Sequence, residues 1–185
     1  MEANINNGVI FLVNALLDLA LSVMLLRVLL QLARADFYNP ISQLVWRITQ
    51  PVTRPLQRLI PRWRTLDLAG TLLLYLLALI YIQVIASLWG FSPGLVTTLV
   101  QALFKLISLT LNLYTLSLFA QAILSWVGPG VSNPAANVLW SLNEPLLRPV
   151  RSVLPTIGGL DLSPIPVMLV LQALDRFLPL SPFFH

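Results

Sequence analysis

Residues 9–32 form an apolar run of 24 positions broken only by Asn14, Asp18, Ser22, Arg27 and Gln31, and such a run leaves a chain few ways to fold. In a bilayer it spans a hydrocarbon core of about 30 Å as one helix with every backbone group satisfied internally. Two further runs match it, 66–91 and 106–127. Gly90, Pro93 and Gly94 punctuate the chain between these two, and residues 95–105 are apolar enough to lengthen the third helix. A fourth run, 162–174, has only 13 residues before Asp175 and Arg176, so crossing requires snorkelling, local thinning or its Pro-containing flanks. With 57% hydrophobic and 10% charged residues over 185 positions, the composition argues against both a soluble enzyme and a disordered chain. Only Glu2 is charged ahead of the first run and no small-residue cleavage site follows it, so a retained helix is expected rather than a signal peptide.

Most site chemistry is missing from the residue inventory. There is no Cys, and the one His is His185, which removes thiolate nucleophiles, thiolate metal sites and disulfides. No Ser/His/Asp set, phosphate loop, paired catalytic carboxylates or metal-ligand spacing is present, so no enzymatic activity, cofactor or metal is expected. The net charge of +4 comes from ten Arg and one Lys gathered beside apolar runs, a placement that favours anionic lipid headgroups over nucleic acid as the partner.

Those basic residues also orient the chain. Arg34, Arg47, Arg54, Arg58, Arg62 and Arg64 lie between the first two runs, and Arg148 and Arg151 between the last two. Basic loops resist translocation, so both are expected in the cytoplasm and both termini outside it. Trp46, Trp63, Trp89, Trp126 and Trp140 fall at run ends or in the basic loops, where amphipathic rings settle at an interface.

An internal repeat is the most specific signal. At an offset of 94, Asn39-Pro40 aligns with Asn133-Pro134, and the register holds without a gap. Trp46 meets Trp140, Pro51 meets Pro145, Arg54 meets Arg148, Pro55 meets Pro149, Pro61 meets Pro155, and Leu66-Asp67-Leu68 meets Leu160-Asp161-Leu162, giving ten identities in thirty positions. The offset also pairs Asn14 with Ser108, Asp18 with Asn112 and Arg27 with Gln121. The predicted fold is all-α and polytopic: two parallel repeats, each a transmembrane helix, an amphipathic cytoplasmic hairpin and a second transmembrane helix, making four transmembrane helices. The first repeat is placed at 1–93, with spans near 9–32 and 66–91 and a loop at 39–62; the second at 94–185, with spans near 104–127 and 161–180 and a loop at 133–156.

The two copies, NP-x10-QP-x2-RP-x5-P-x4-LDL and NP-x10-EP-x2-RP-x5-P-x4-LDLSP, resemble the YggT family of small bacterial integral membrane proteins, also called YlmG, over residues 16–174. The first copy departs from the pattern: Ala69-Gly70 replace the Ser-Pro at Ser163-Pro164, and Gln50 replaces the acid kept at Glu144. The resemblance implies a multi-pass protein of the bacterial inner membrane. It implies links to osmotic and ion homeostasis and to the division region, and in plastids to nucleoid distribution and cytochrome maturation, without a common reaction.

Within the first loop, Ile41, Leu44, Val45, Ile48, Val52, Leu56 and Leu59 recur at helical spacing while Arg47, Arg54 and Arg58 lie off that face. An interfacial helix follows, either a platform for lipid and protein partners or a seat for the bundle. Pro51 and Pro55 predict a helix, a break and a second helix. Arg54 and Arg148 are expected to latch a carboxylate, with Glu144 or Asp161 as candidates, in preference to holding a ligand. Asp67 and Asp161 precede apolar runs as helix caps, with an ion site as the alternative.

Asn14, Asp18 and Ser22 make one polar stripe on the first helix, echoed by Ser108, Asn112 and Thr115 on the third. Asp18 has Lys105 and Arg27 as its candidate partners. Because Asn112 holds the equivalent place, Asn at position 18 is expected to be tolerated. Such a stripe is either a hydrogen-bonded seam between helices or the lining of a pathway. The leading expectation is a membrane scaffold or assembly factor that displays Arg-rich interfacial helices to anionic lipid and membrane-protein partners, itself included. The alternative is an oligomeric channel or transporter subunit.

Overall fold

The computed structural model describes residues 2–58, 60, 67–127, 133–154 and 161–184, with side chains omitted at 2–6 and 126–127. Pro61, Arg62, Trp63, Arg64, Pro155, Leu160 and His185 therefore lie outside the described residues. The described chain is all-helical: α1 (Glu2–Leu32), α2 (Pro40–Gln57), α3 (Leu68–Leu88), α4 (Leu95–Val127), α5 (Pro134–Arg151), α6 (Pro164–Phe177) and a closing 3-10 turn (Pro182–Phe184).

Among the described residues, three helices are long and apolar enough to cross a membrane, over Asn7–Leu32, Leu68–Leu88 and Leu95–Ser125. Residues 95–105 do lengthen the third helix, so that α4 runs for 33 residues, about 50 Å. The 14 residues of α6 measure only about 21 Å.

Local chemistry explains where the helices stop and start. Gly90, at a φ of 82°, ends α3: its amide reaches Ser87 O and that of Phe91 reaches Ala86 O, the paired bonds that close a helix through a left-handed residue. Arg34 does the same for α1 at a φ of 51°, with Ala35 N donating to Leu30 O. Asn39 and Asn133 then cap α2 and α5 by accepting from Ile41 N and Ala135 N, each 2.9 Å away, with Pro40 and Pro134 at the first helical position.

The expected break at Pro51 and Pro55 does not occur. α2 continues through both prolines, and α5 through Pro145 and Pro149. Each pair is four residues apart, so both rings and the carbonyls that lose their amide partners share one stripe, and all four prolines are exposed. On the opposite face of α2 the ladder is intact and reinforced by Thr49 Oγ1 donating to Val45 O at 2.7 Å and Thr53 Oγ1 to Thr49 O at 3.1 Å.

α3 and α4 form the middle of the bundle, α1 packing against α3 and α6 against α4. The main core gathers Leu21, Leu25 and Val28 of α1 with Ala78, Ile82 and Ile85 of α3; a smaller one joins Leu118, Leu147, Val167 and Leu171. The two amphipathic helices are seated differently. α5 lies chiefly against α4, with lesser contacts to α1, α2 and α6, and its apolar stripe is covered at Val138 and Leu142. The matching residues of α2, Leu44 and Ile48, are each 56% exposed, and Val52 is 53% exposed. Asn39 ties the seats together by donating from Nδ2 to Pro134 O at 2.7 Å.

Candidate functional site

α2 has three faces rather than two. Its apolar stripe, Leu44, Ile48 and Val52, points outward. Arg47, Arg54 and Arg58 are exposed on the far side. Between them a third face, Ser42, Thr49 and Thr53, is buried against the bundle together with Val45. The spacing that separates apolar from basic residues is thus present, while the inward face is built from small hydroxyl residues that hydropathy does not select.

That inward face meets Arg27. The guanidinium, 1% exposed, donates to Asp67 Oδ2 at 3.0 Å, to Thr49 Oγ1 at 2.8 Å and to Gln50 Oε1 at 3.1 Å. Its carbon lies 3.9 Å from the ring centre of Trp46. Gln57 Nε2 donates to the same Asp67 oxygen, and Gln50 Nε2 to Gln57 Oε1 at 3.2 Å. A buried charge needs a counter-charge and hydrogen bonds, and Arg27 has both. Asp67 also caps α3, accepting from Gly70 N at 3.3 Å. Position 70 supplies that N–H, which a proline there would lack, and a Cβ on Gly70 would stand 3.2 Å from Asp67 Oδ2, a contact that asks the carboxylate to shift by a few tenths of an ångström.

The second repeat builds the same device from different positions. Arg151 donates to Glu144 Oε2 at 2.6 Å and pairs with Asp161 Oδ2 at 2.8 Å, with its carbon 4.6 Å from the centre of Trp140. At the offset of 94, Arg151 corresponds to Gln57, and Arg27 corresponds to Gln121. Gln121 does not reach the acid; its Oε1 accepts from Asn143 Nδ2 at 2.8 Å, and Asn143 Oδ1 from Ser117 Oγ at 2.6 Å. Because Pro164 has no N–H, Asp161 accepts instead from Ser163 N at 3.0 Å; Ser163 holds the N-cap position of α6 without a side-chain capping bond, so Asp161 does not cap α6 as Asp67 caps α3. Burial alone raises the Asp161 carboxyl, and the hydrogen bonds from Ser163 together with Arg151 outweigh it and hold the group below the usual carboxylate range.

A latch therefore exists in each repeat, but not at the arginines expected. Arg54 and Arg148 are exposed, and Arg27 and Arg151 take the role. Of the carboxylates, Glu144 and Asp161 are the two named from the sequence for a latch, whereas Asp67, read there as a helix cap, also takes the latch role in the first repeat.

The polar stripe of α1 is occupied too. Asp18 Oδ1 lies 2.7 Å from Lys105 Nζ, so Lys105 and not Arg27 is its partner. Lys105 also donates to Phe184 O at 2.9 Å and lies 4.4 Å from the ring centre of Tyr81, whose hydroxyl donates to Asn14 Oδ1 at 2.7 Å. Residues 178–184 are thereby folded back over α3 and α4. Gln101 secures them by accepting from Ser181 N at 3.0 Å, and Phe183 lies against Trp89 and Phe91. On α4, Asn112 Nδ2 donates to Ser108 O at 3.0 Å and to Asp175 Oδ2 of α6 at 3.3 Å. Lys105 corresponds in the first repeat to Phe11, so Asn112 faces no lysine and is a poor guide to position 18. Among the described residues, no group of three or more His, Cys, Asp and Glu residues is placed to hold a metal.

Comparison with known proteins gives a family. The CCB3/YggT family profile matches twice, over residues 6–88 and 100–182. The chain belongs to the CCB3/YggT family. An uncharacterized protein of Pseudomonas aeruginosa is 42% identical over 173 residues, covering 92% of this chain and 88% of its own length. The uncharacterized protein YggT of Escherichia coli K12 is 40% identical over 169 residues, 91% of this chain and 88% of that protein. A chloroplastic YlmG homolog of Arabidopsis thaliana is 41% identical over 63 residues, 34% of this chain and 25% of that protein. No solved structure matches the chain.

Proposed function

We propose that this YggT-family protein is a non-enzymatic scaffold of the bacterial inner membrane, which holds two Arg-bearing helices at the cytoplasmic interface for anionic lipid and for membrane-protein partners. The observation that carries this reading is the three-faced α2: an outward apolar stripe at Leu44, Ile48 and Val52, exposed arginines beside it, and a polar inner face locked by the Arg27–Asp67 pair. A helix lying in an interface needs an apolar side for acyl chains and a basic side for headgroups. The latch adds a fixed attachment to the spanning helices.

In this reading the units are 1–93 and 94–185, α6 with its flanks makes a short fourth crossing, and both termini lie outside the cytoplasm. The osmotic, ion and division roles implied by the family resemblance are settings in which such a scaffold would work. Against the channel alternative stands the pairing of Asp18 with Lys105 beneath the Phe184 carbonyl, which gives the one charged residue of the stripe a protein partner. The test is flux through liposomes holding the purified chain. A scaffold gives no specific cation or proton flux; flux in the wild type that disappears in Asp18→Asn would replace this reading with the channel.

A further inference from the structure

The latch of the first repeat leaves a hollow beside it. A cavity of about 290 Å³ opens between the end of α1 and the start of α2, floored by Leu30, Ala35 and Val45 and walled by Phe37 and Trp46. Two polar atoms line it without a partner in the protein, Ser42 Oγ and Gln31 Oε1, and Ser42 is only 8% exposed. Buried hydroxyl and amide groups are rarely left unpaired, so the hollow suits water or an occupant that brings its own hydrogen-bonding groups. Phe37 and Trp46, packed edge to face at 5.6 Å, also border a second groove of about 510 Å³ that runs along α2 beneath Arg47, Gln50 and Arg54. Arg47 and Arg54 stand two turns apart on one face of the helix.

We infer that the two hollows are one seat for an anionic glycerophospholipid, its phosphate held by Arg47 and Arg54, its glycerol-ester region against Trp46 and the Ser42 hydroxyl, and an acyl chain along Leu30 and Val45. The order of chemistry matches such a molecule from one end to the other: cationic forks for the phosphate, an aromatic pair for the headgroup region, a buried hydroxyl that can donate to an ester carbonyl, then aliphatic side chains. The second repeat acts as an internal control, because Gln31, Phe37, Ser42 and Arg47 correspond there to Ser125, Val131, Ala136 and Ser141, and of the seat's polar and aromatic residues only Trp140 and Arg148 keep the types of Trp46 and Arg54. The seat is therefore a property of the first repeat, one lipid to a chain.

This site rests on the interfacial placement of α2 proposed above, and the experiment separates the two. The full chain, in phosphatidylcholine nanodiscs carrying a minor fraction of phosphatidylglycerol, is released into detergent and its retained lipid measured by native mass spectrometry. The wild type and Arg148→Gln keep a single phosphatidylglycerol; Ser42→Ala and Arg47→Gln each lower its retention by about tenfold. Equal retention in all four, with phosphatidylglycerol still enriched around the chain in a salt-sensitive way, overturns the seat and leaves the platform standing. No preference for phosphatidylglycerol over phosphatidylcholine overturns both. Displacement of the bound lipid by inorganic phosphate or glycerol phosphate at matched concentration overturns the phospholipid as occupant. Thermal melting of Ser42→Ala alongside the wild type shows that a loss of lipid is not a loss of fold; a variant that melts with the wild type and still loses the lipid confirms the seat.

Discussion

Arg27 and Arg151 sit at non-corresponding positions of the two repeats, yet each stacks on the corresponding tryptophan, Trp46 at 3.9 Å and Trp140 at 4.6 Å, and each pairs with the corresponding aspartate, Asp67 and Asp161. In the first copy the arginine descends from the spanning helix and a glutamine completes the site from the end of the amphipathic helix. In the second the arginine comes from the end of the amphipathic helix, and Gln121, at the spanning-helix position, bonds Asn143 instead of the acid. What is common to the repeats is the acid, the ring and one guanidinium between them.

The exchange is testable. Arg27→Gln leaves Asp67, 2% exposed, without its cation, and breaking a buried pair from one side costs about 3–5 kcal/mol. Adding Gln57→Arg copies the second repeat and restores most of that loss. Thermal melting of the purified variants checks both steps; a double variant no better than the single would mean that the two latches are not interchangeable.

Asp18→Asn is expected to be costlier than the sequence suggests. It strips the anion from Lys105, whose side chain is 6% exposed, but Asp18 itself keeps 29% exposure, so the loss is discounted to roughly 1–3 kcal/mol. Lys105→Met in the Asp18→Asn background removes the stranded cation and recovers stability. A double-mutant cycle with additive losses would show that the pair contributes nothing.

These two outcomes also show what the sequence made legible. The repeat register located Asp67, Glu144 and Asp161, and the polar stripe located Asp18 together with Lys105. The latch arginines escaped because searching for identities at an offset of 94 selects Arg54 and Arg148, which are alike in both copies and exposed. The signal that finds the true pair is a complementary one, Arg27 with Gln57 against Gln121 with Arg151. The unbroken α2 escaped for a different reason: two prolines read singly each break a helix, whereas four residues apart on an exposed stripe they leave the buried face of the ladder whole.

Acid should act on the second latch. The Asp161 carboxyl is held below its ordinary range, so its contribution to stability is fully present above that range and is lost as pH falls through the depressed value. Asp161→Asn should flatten this part of the acid dependence of melting. An unchanged acid limb would assign it to other carboxylates.

Eight of the eleven basic residues lie in two loops, which fixes the expected orientation. A reporter active only outside the inner membrane should work when fused after residue 185 and fail when inserted within 59–66. Activity at 59–66 would reverse the orientation, and failure after 185 would mean that α6 does not cross.

The most direct test of the central claim is the depth of α2 in a bilayer, and the absence of native Cys makes it clean. Spin labels at single cysteines along α2, in the full chain in phosphatidylglycerol-containing bilayers, report collisions with oxygen from the acyl region and with a water-soluble nickel complex. Labels at Leu44, Ile48 and Val52 should favour oxygen, those at Arg47, Arg54 and Arg58 should favour nickel, and the preference should alternate with helical period. Equal nickel access all round the helix would contradict an interfacial α2 and, with it, the scaffold.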